Sequence, residues 1–207
     1  MIRNMVAGGL VTLALAAIVA LLAVRFGLVP ANADAKPSSL ERWAAGTSLR
    51  ATVARDAPKQ PDPLALNDAN LEAGIKLYAD NCMVCHGASD GQGSNIALGL
   101  YQHAPQFGKH GVEDDPEGET YWKIDHGIRL TGMPSFARAL DDEQIWQLAM
   151  FLKHMDSLPA AAQAAWKKLP SQSGSAARKG PPSAARTSAL WKPGRDPISS
   201  TSRSAPK

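Results

Sequence analysis

Cysteine is nearly missing from this chain: its 207 residues contain two, Cys82 and Cys85. Two thiols cannot build a structural zinc site, which takes four ligands, usually as two pairs, and no second Cys/His pair at that spacing exists. No βαβ pattern lies near them, which argues against a thioredoxin-like redox pair. Charge is missing from Val6 to Val24, so that stretch has no polar stripe to present as a buried soluble helix. Acid is nearly missing from the other end, where residues 171–207 hold one Asp against seven Lys/Arg, with almost no bulky apolar side chain beyond Leu190, Trp191 and Ile198. Such a segment cannot bury enough surface to offset chain entropy, and disorder is expected. Its charge therefore has no folded face to present to nucleic acid, and no nucleic-acid partner is expected. The chain also shows no convergent base, nucleophile and open metal position, so catalysis is not indicated.

What is present begins with Cys82-Met83-Val84-Cys85-His86. Two thiols with a histidine directly after the second form the C-x-x-C-H pattern of c-type haem attachment. Each sulfur can add to one haem vinyl group and form a thioether. Two intervening residues let both sulfurs reach one porphyrin edge, and the next side chain then lies under the iron. One covalent haem c is expected, with Cys82 and Cys85 as the thioether residues and His86 as the proximal metal ligand. The plainer alternative, a Cys82–Cys85 disulfide beside a chance histidine, leaves the third group unexplained.

The overall charge of +3 hides a division. Residues 67–170 hold 8 Lys/Arg and 14 Asp/Glu, so an acidic core carries a basic tail. Four regions are expected: 1–30 as an N-terminal transmembrane anchor or signal segment, 31–66 as a connector, 67–170 as the haem domain and 171–207 as the basic tail. The nineteen residues Val6–Val24 would span about 28 Å as helix, close to a bilayer core of about 30 Å. Two readings compete for it. An uncleaved anchor fits its length, and a cleaved signal peptide fits Ala31-Asn32-Ala33. Both carry the rest of the chain across the inner membrane, leaving it anchored there or soluble in the periplasm.

In the connector, Ser38 and Glu41 have capping-box spacing, and Leu40, Trp43, Ala44, Thr47 and Ala51 recur at near-helical intervals. A short amphipathic helix is expected, lying on the membrane surface, on the haem domain or free in solvent. Pro58, Pro61 and Pro63 then enforce an extended lead-in. Asn67 or Asp68 should cap a helix to about Asp80, with Leu71, Gly74, Ile75 and Tyr78 on one face. Gly74 costs about 1 kcal/mol against alanine in a helix interior, and a close helix–helix crossing would account for it. Residues 87–111 read as a glycine-rich wrapping loop with a short turn at 96–100. Asp115 and Pro116 should start a helix that stops at Gly127. The acidic cluster there lacks the ligand order of an EF-hand loop. A last helix is expected from Asp141 to about Asp156, ended by Pro159, with a short alanine-rich helix over 160–169.

A low-spin electron-transfer haem needs a sixth ligand. Met133 stands in an irregular loop, Thr131-Gly132-Met133-Pro134, between a glycine that admits close backbone approach and a proline that stiffens the loop. Met150 and Met155 read as core, and Met83 is excluded by its place inside the motif. His103, His110, His126 and His154 are the rivals. Met133 is the metal ligand expected, and His/Met ligation raises the reduction potential.

Over residues 67–158 the chain resembles the class I, monohaem c-type cytochromes. The resemblance rests on Cys82–His86, on Thr131-Gly132-Met133-Pro134 and on the two terminal helices. It implies an all-α cytochrome c fold of a few helices wrapped around one covalently bound haem, here preceded by an N-terminal transmembrane helix. In that family a glycine and an aromatic on the first helix pack against a leucine and an aromatic on the last; Gly74 and Tyr78 fit the first pair, Leu148 and Phe151 the second. The resemblance also implies a proline carbonyl accepting the proximal histidine N–H, for which Pro105 is the candidate. Trp122 is a candidate donor to a haem propionate, with core packing as its alternative. In that family thioethers form on the outer side of the membrane, in keeping with the apolar N-terminus.

The function expected is one-electron transfer at the periplasmic face by a carrier that is not itself an enzyme. Its partners would be redox proteins: a dehydrogenase, a bc1-type complex or a terminal oxidase. Two alternatives are the haem-bearing subunit of a periplasmic membrane-associated dehydrogenase or oxidase complex, and a haem sensor or catalytic haem with an exchangeable sixth position.

Overall fold

The computed structural model describes residues 2–108 and 110–171, and the expected basic tail lies almost wholly outside them. Among the described residues the architecture is all helical. The elements are α1 (Ile2–Arg25), α2 (Ser39–Asp56), α3 (Asp68–Asn81), α4 (Met83–His86), α5 (Asn95–Gly99), α6 (Glu117–His126), α7 (Asp142–Lys153), a 3₁₀ turn (Met155–Ser157) and α8 (Ala160–Lys167). α1 buries none of its residues, and at about 1.5 Å per residue it is roughly 36 Å long.

Helix starts follow the capping chemistry. Asn67 accepts the Asn70 N–H at the head of α3, and Ser94 the Ala97 N–H at the head of α5. Asp141 and Gln144 form a full capping box on α7. At α2 only half of the expected box forms. The Ser38 hydroxyl accepts the Glu41 N–H, while the Glu41 carboxylate turns away to accept the Tyr101 hydroxyl at 2.5 Å. α6 begins one residue later than expected, with Pro116 itself at the N-cap.

The core is built where α3 crosses α7. Tyr78, Leu148 and Phe151 are fully buried, and Leu71 nearly so. The Gly74 backbone lies against the Gln147 carbonyl, where a Cβ would come within 2.2 Å of the oxygen and 2.9 Å of the Phe151 Cβ. The odd glycine is thus the contact that lets two helices meet at backbone distance. Tyr78 packs edge-on to Phe151, with centroids 5.5 Å apart. α8 completes the cluster: Trp166 inserts edge-on between Tyr78 and Phe151, at 5.3 Å from each, and donates its indole N–H to the Gly108 carbonyl at 3.0 Å. α6 packs on α7 and carries the C-terminal end of α2, where Val53 and Ala57 are buried.

Candidate haem site

The attachment motif is one helical turn. The Cys85 and His86 N–H groups both donate to the Cys82 carbonyl, at 3.0 and 2.9 Å. Residues three and four apart share a helix face, so Cys82, Cys85 and His86 present their side chains to the same side. Both thiols are free and half-buried. Burial pushes the Cys82 thiol up to about 12, with the neighbouring Cys85 adding to the shift, so it stands as the neutral thiol.

Several contacts fix the turn. Gly87 takes φ of +77° and ends α4, and its carbonyl accepts the buried Tyr78 hydroxyl at 2.8 Å. A side chain there would strike Gln106 Oε1 at 2.8 Å. Gln106 in turn donates from Nε2 to the Cys85 carbonyl at 2.9 Å and to the Ala104 carbonyl at 2.9 Å. Ser94 bonds the Val84 carbonyl through its hydroxyl, tying α5 to the motif.

His86 is oriented from two directions. Its Nδ1 lies 2.9 Å from the Pro105 carbonyl oxygen. A carbonyl can only accept, so Nδ1 carries the proton and Nε2 is left with its lone pair. The ring stacks on Phe107 with centroids 4.8 Å apart and planes 2° from parallel. Burial lowers the imidazole pKa, partly opposed by the Pro105 bond, and so favours the neutral ring that a metal ligand requires.

Met133 lies half-buried against the same hydrophobic cluster as Cys82 and Met83. Its loop closes on itself. Ile128 N–H donates to the Met133 carbonyl at 3.1 Å, and the Met133 N–H donates to the Thr131 hydroxyl at 3.1 Å. Gly127, at φ +68°, has a Cβ position 2.5 Å from the Pro134 carbonyl carbon. Leu130 is a non-glycine residue in the left-handed region, at φ 61°, and is 89% exposed. Gly132 faces the Leu100 side chain, where a Cβ would meet Cδ2 at 2.5 Å, so the Met133 loop abuts the loop that follows α5.

The residues present fit a haem. The unpaired thiols share a helix face with an imidazole whose outer nitrogen is held out as an acceptor. Val84, Ile96, Leu98 and Leu130 present exposed apolar surface on the elements around them, the kind of surface a porphyrin covers. Trp122 is half-buried and stacks on His126 at 4.7 Å, with planes 8° apart. That places it on α6 beside a histidine. Met150 and Met155 are buried core residues, as expected. His103 and His110 are exposed, His126 is bound to Asp125, and His154 lies 3.8 Å from Glu117.

Phe107 and Gln106 went unnoticed in the sequence. Their signal was position alone, since they directly follow the proline implicated in orienting His86. Trp166 was missed as a core residue because a lone aromatic at the end of an alanine-rich segment has no periodicity.

Residues 69–152 match the family model of cytochrome c oxidase, cbb3-type, subunit III. Over 98 residues the chain is 36% identical to the quinohemoprotein alcohol dehydrogenase ADH-IIG of Pseudomonas putida; the match takes in 47% of this chain and 12% of that enzyme. This chain thus spans only a small part of the relative's length. The matched region is similar to c-type cytochrome domains, a family whose members bind haem and carry electrons.

Proposed function

We propose that the chain is a membrane-tethered, one-electron relay. Cys82 and Cys85 would hold a single haem covalently, and His86 and Met133 would ligate its iron, on the periplasmic side of the inner membrane. The observation that carries this reading is the His86–Pro105 bond, which directs the Nε2 lone pair outward from a turn that also presents two free thiols. When bound, the haem supplies a centre that gains and loses one electron. The chain's own residues do the rest. Pro105 and Phe107 hold the imidazole, Gln106 and Tyr78 hold the turn, and the Ile128–Met133 closure holds the distal loop. Held in this way, His86 and Met133 would be the residues that keep the haem iron ligated as it gains and loses an electron.

α1 is the proposed anchor, with residues 31–66 as connector and 67–170 as the haem domain. Partners of this chemistry are redox proteins, a dehydrogenase, a bc1-type complex or a terminal oxidase, met through small, short-lived interfaces. A second reading is favoured by the similarity to the dehydrogenase: this chain as the haem-bearing subunit of a periplasmic dehydrogenase or oxidase complex. A pull-down from detergent-solubilised membranes separates the two. A stoichiometric catalytic subunit that survives washing supports the complex; recovery as a lone cytochrome supports the relay. The haem itself is tested by denaturing electrophoresis. Haem-linked peroxidase staining should stay with the polypeptide, and should be lost in Cys82→Ala/Cys85→Ala.

A further inference from the structure

α2 has two faces, and the haem domain uses one. Leu49, Thr52 and Val53 are wholly or partly covered, Glu41 holds the Tyr101 hydroxyl, and the Pro58 carbonyl lies where a Gly118 Cβ would come within 2.1 Å. α2 is thus clamped to the domain at both ends, at Tyr101 and at α6. At 3.6 residues per turn, Leu40, Trp43, Thr47 and Ala51 fall on the opposite side. All four are exposed, Leu40 at 72% and Trp43 at 65%. The apolar stripe legible in the sequence is therefore not the stripe that packs on the domain.

We propose that this outer stripe of α2 rests on the phospholipid surface, so that the haem domain is held against the membrane in one orientation rather than swinging on a free tether. The proposal rests on the reading of α1 as the anchor. Three observations name lipid as the occupant. First, only residues 26–38 separate α1 from α2, a reach of at most about 45 Å fully extended, and Phe26, Leu28 and Val29 at its start are exposed apolar residues that continue the α1 surface. Second, the stripe pairs exposed Leu40 with exposed Trp43, whose amphipathic ring favours the membrane–water interface. Third, the charge is divided to match. Residues 25–60 hold six Lys/Arg against three Asp/Glu, while the haem domain holds 8 against 14. An anionic leaflet attracts the first and repels the second within about 10 Å. Arg50 lies near the margin of the stripe, while Arg42 is tied by its guanidinium to the Pro37 carbonyl at 2.6 Å.

The test uses the full-length holoprotein in phosphatidylcholine/phosphatidylglycerol vesicles, with a spin label on Thr47→Cys and the haem reduced so that its iron is diamagnetic. The label should lose accessibility to a water-soluble nickel relaxant several-fold on reconstitution and regain it in Leu40→Glu/Trp43→Glu, while flotation with the vesicles is unchanged. A label equally accessible with and without vesicles, in protein that floats, overturns the proposal and leaves the anchor standing. Protein that does not float overturns both. A label immobilised in dilute detergent by a second copy, with no change on adding lipid, assigns the stripe to self-association and also overturns it.

Discussion

The carbonyl oxygen of Gln147 lies 2.2 Å from where a Cβ on Gly74 would stand. α3 and α7 therefore meet backbone to backbone, and that crossing sets the frame on which the motif turn is built. α4 follows α3 after a single residue, and Tyr78 ties the frame to the turn through Gly87.

Gly74→Ala should cost at least about 2 kcal/mol of unfolding free energy, because the added methyl meets backbone that cannot step aside. Gly99 has nothing within 4 Å of its Cβ position, so Gly99→Ala should be near neutral. Guanidinium unfolding of the two holoproteins checks this. Equal midpoints would mean the crossing is looser than described.

Trp166→Ala should cost about 3–5 kcal/mol. The substitution removes a 4%-exposed ring packed between Tyr78 and Phe151, and leaves the Gly108 carbonyl without its donor. Thermal melts followed in the near ultraviolet would show it. A shift no larger than that of an exposed alanine-helix position would make α8 peripheral.

Asp62 gives a pH signature. Burial raises its pKa and Glu117 adds to the rise, against the Leu64 N–H bond and His154, which lower it. Oδ2 is buried without a partner, while Oδ1 accepts the Leu64 N–H at 2.8 Å. The folded state then keeps its proton at pH values where the unfolded chain, titrating at about 3.9, has lost it. Folded protein binds more protons than unfolded in that window, so this group's contribution to stability falls as pH rises from about 4 through the raised folded value. Asp62→Asn should gain on the wild type across that window in denaturant titrations run from pH 4 to pH 7. A difference independent of pH would show that Asp62 titrates normally.

Much of this was legible in the sequence because its signals were local. The caps at Asn67 and Ser38 and the helix stop at Gly127 each act within a turn of chain. Gly74 could be paired with α7 through the resemblance and its Tyr78 spacing. The Pro105 carbonyl, 19 residues from His86, was reachable only through the resemblance. What escaped were contacts between distant segments with no sequence period. Trp166 fills a gap left by α3 and α7, and Gln106 reaches back 21 residues to the Cys85 carbonyl. Glu41 shows the reverse case, since its capping role was legible and the distant Tyr101 hydroxyl won the carboxylate instead. α2 carried the largest ambiguity, because a helix with two usable faces does not say from sequence which one the domain takes.

The central claim is that His86 and Met133 close the iron on both sides, and the far-red optical region tests it most directly. The oxidised wild-type protein should show the weak methionine–iron charge-transfer band, and the reduced protein should not bind carbon monoxide. Met133→Ala should abolish the band, lower the reduction potential and admit carbon monoxide, with covalent haem retained. A band that survives Met133→Ala, or rapid carbon monoxide binding by the wild type, would contradict the account.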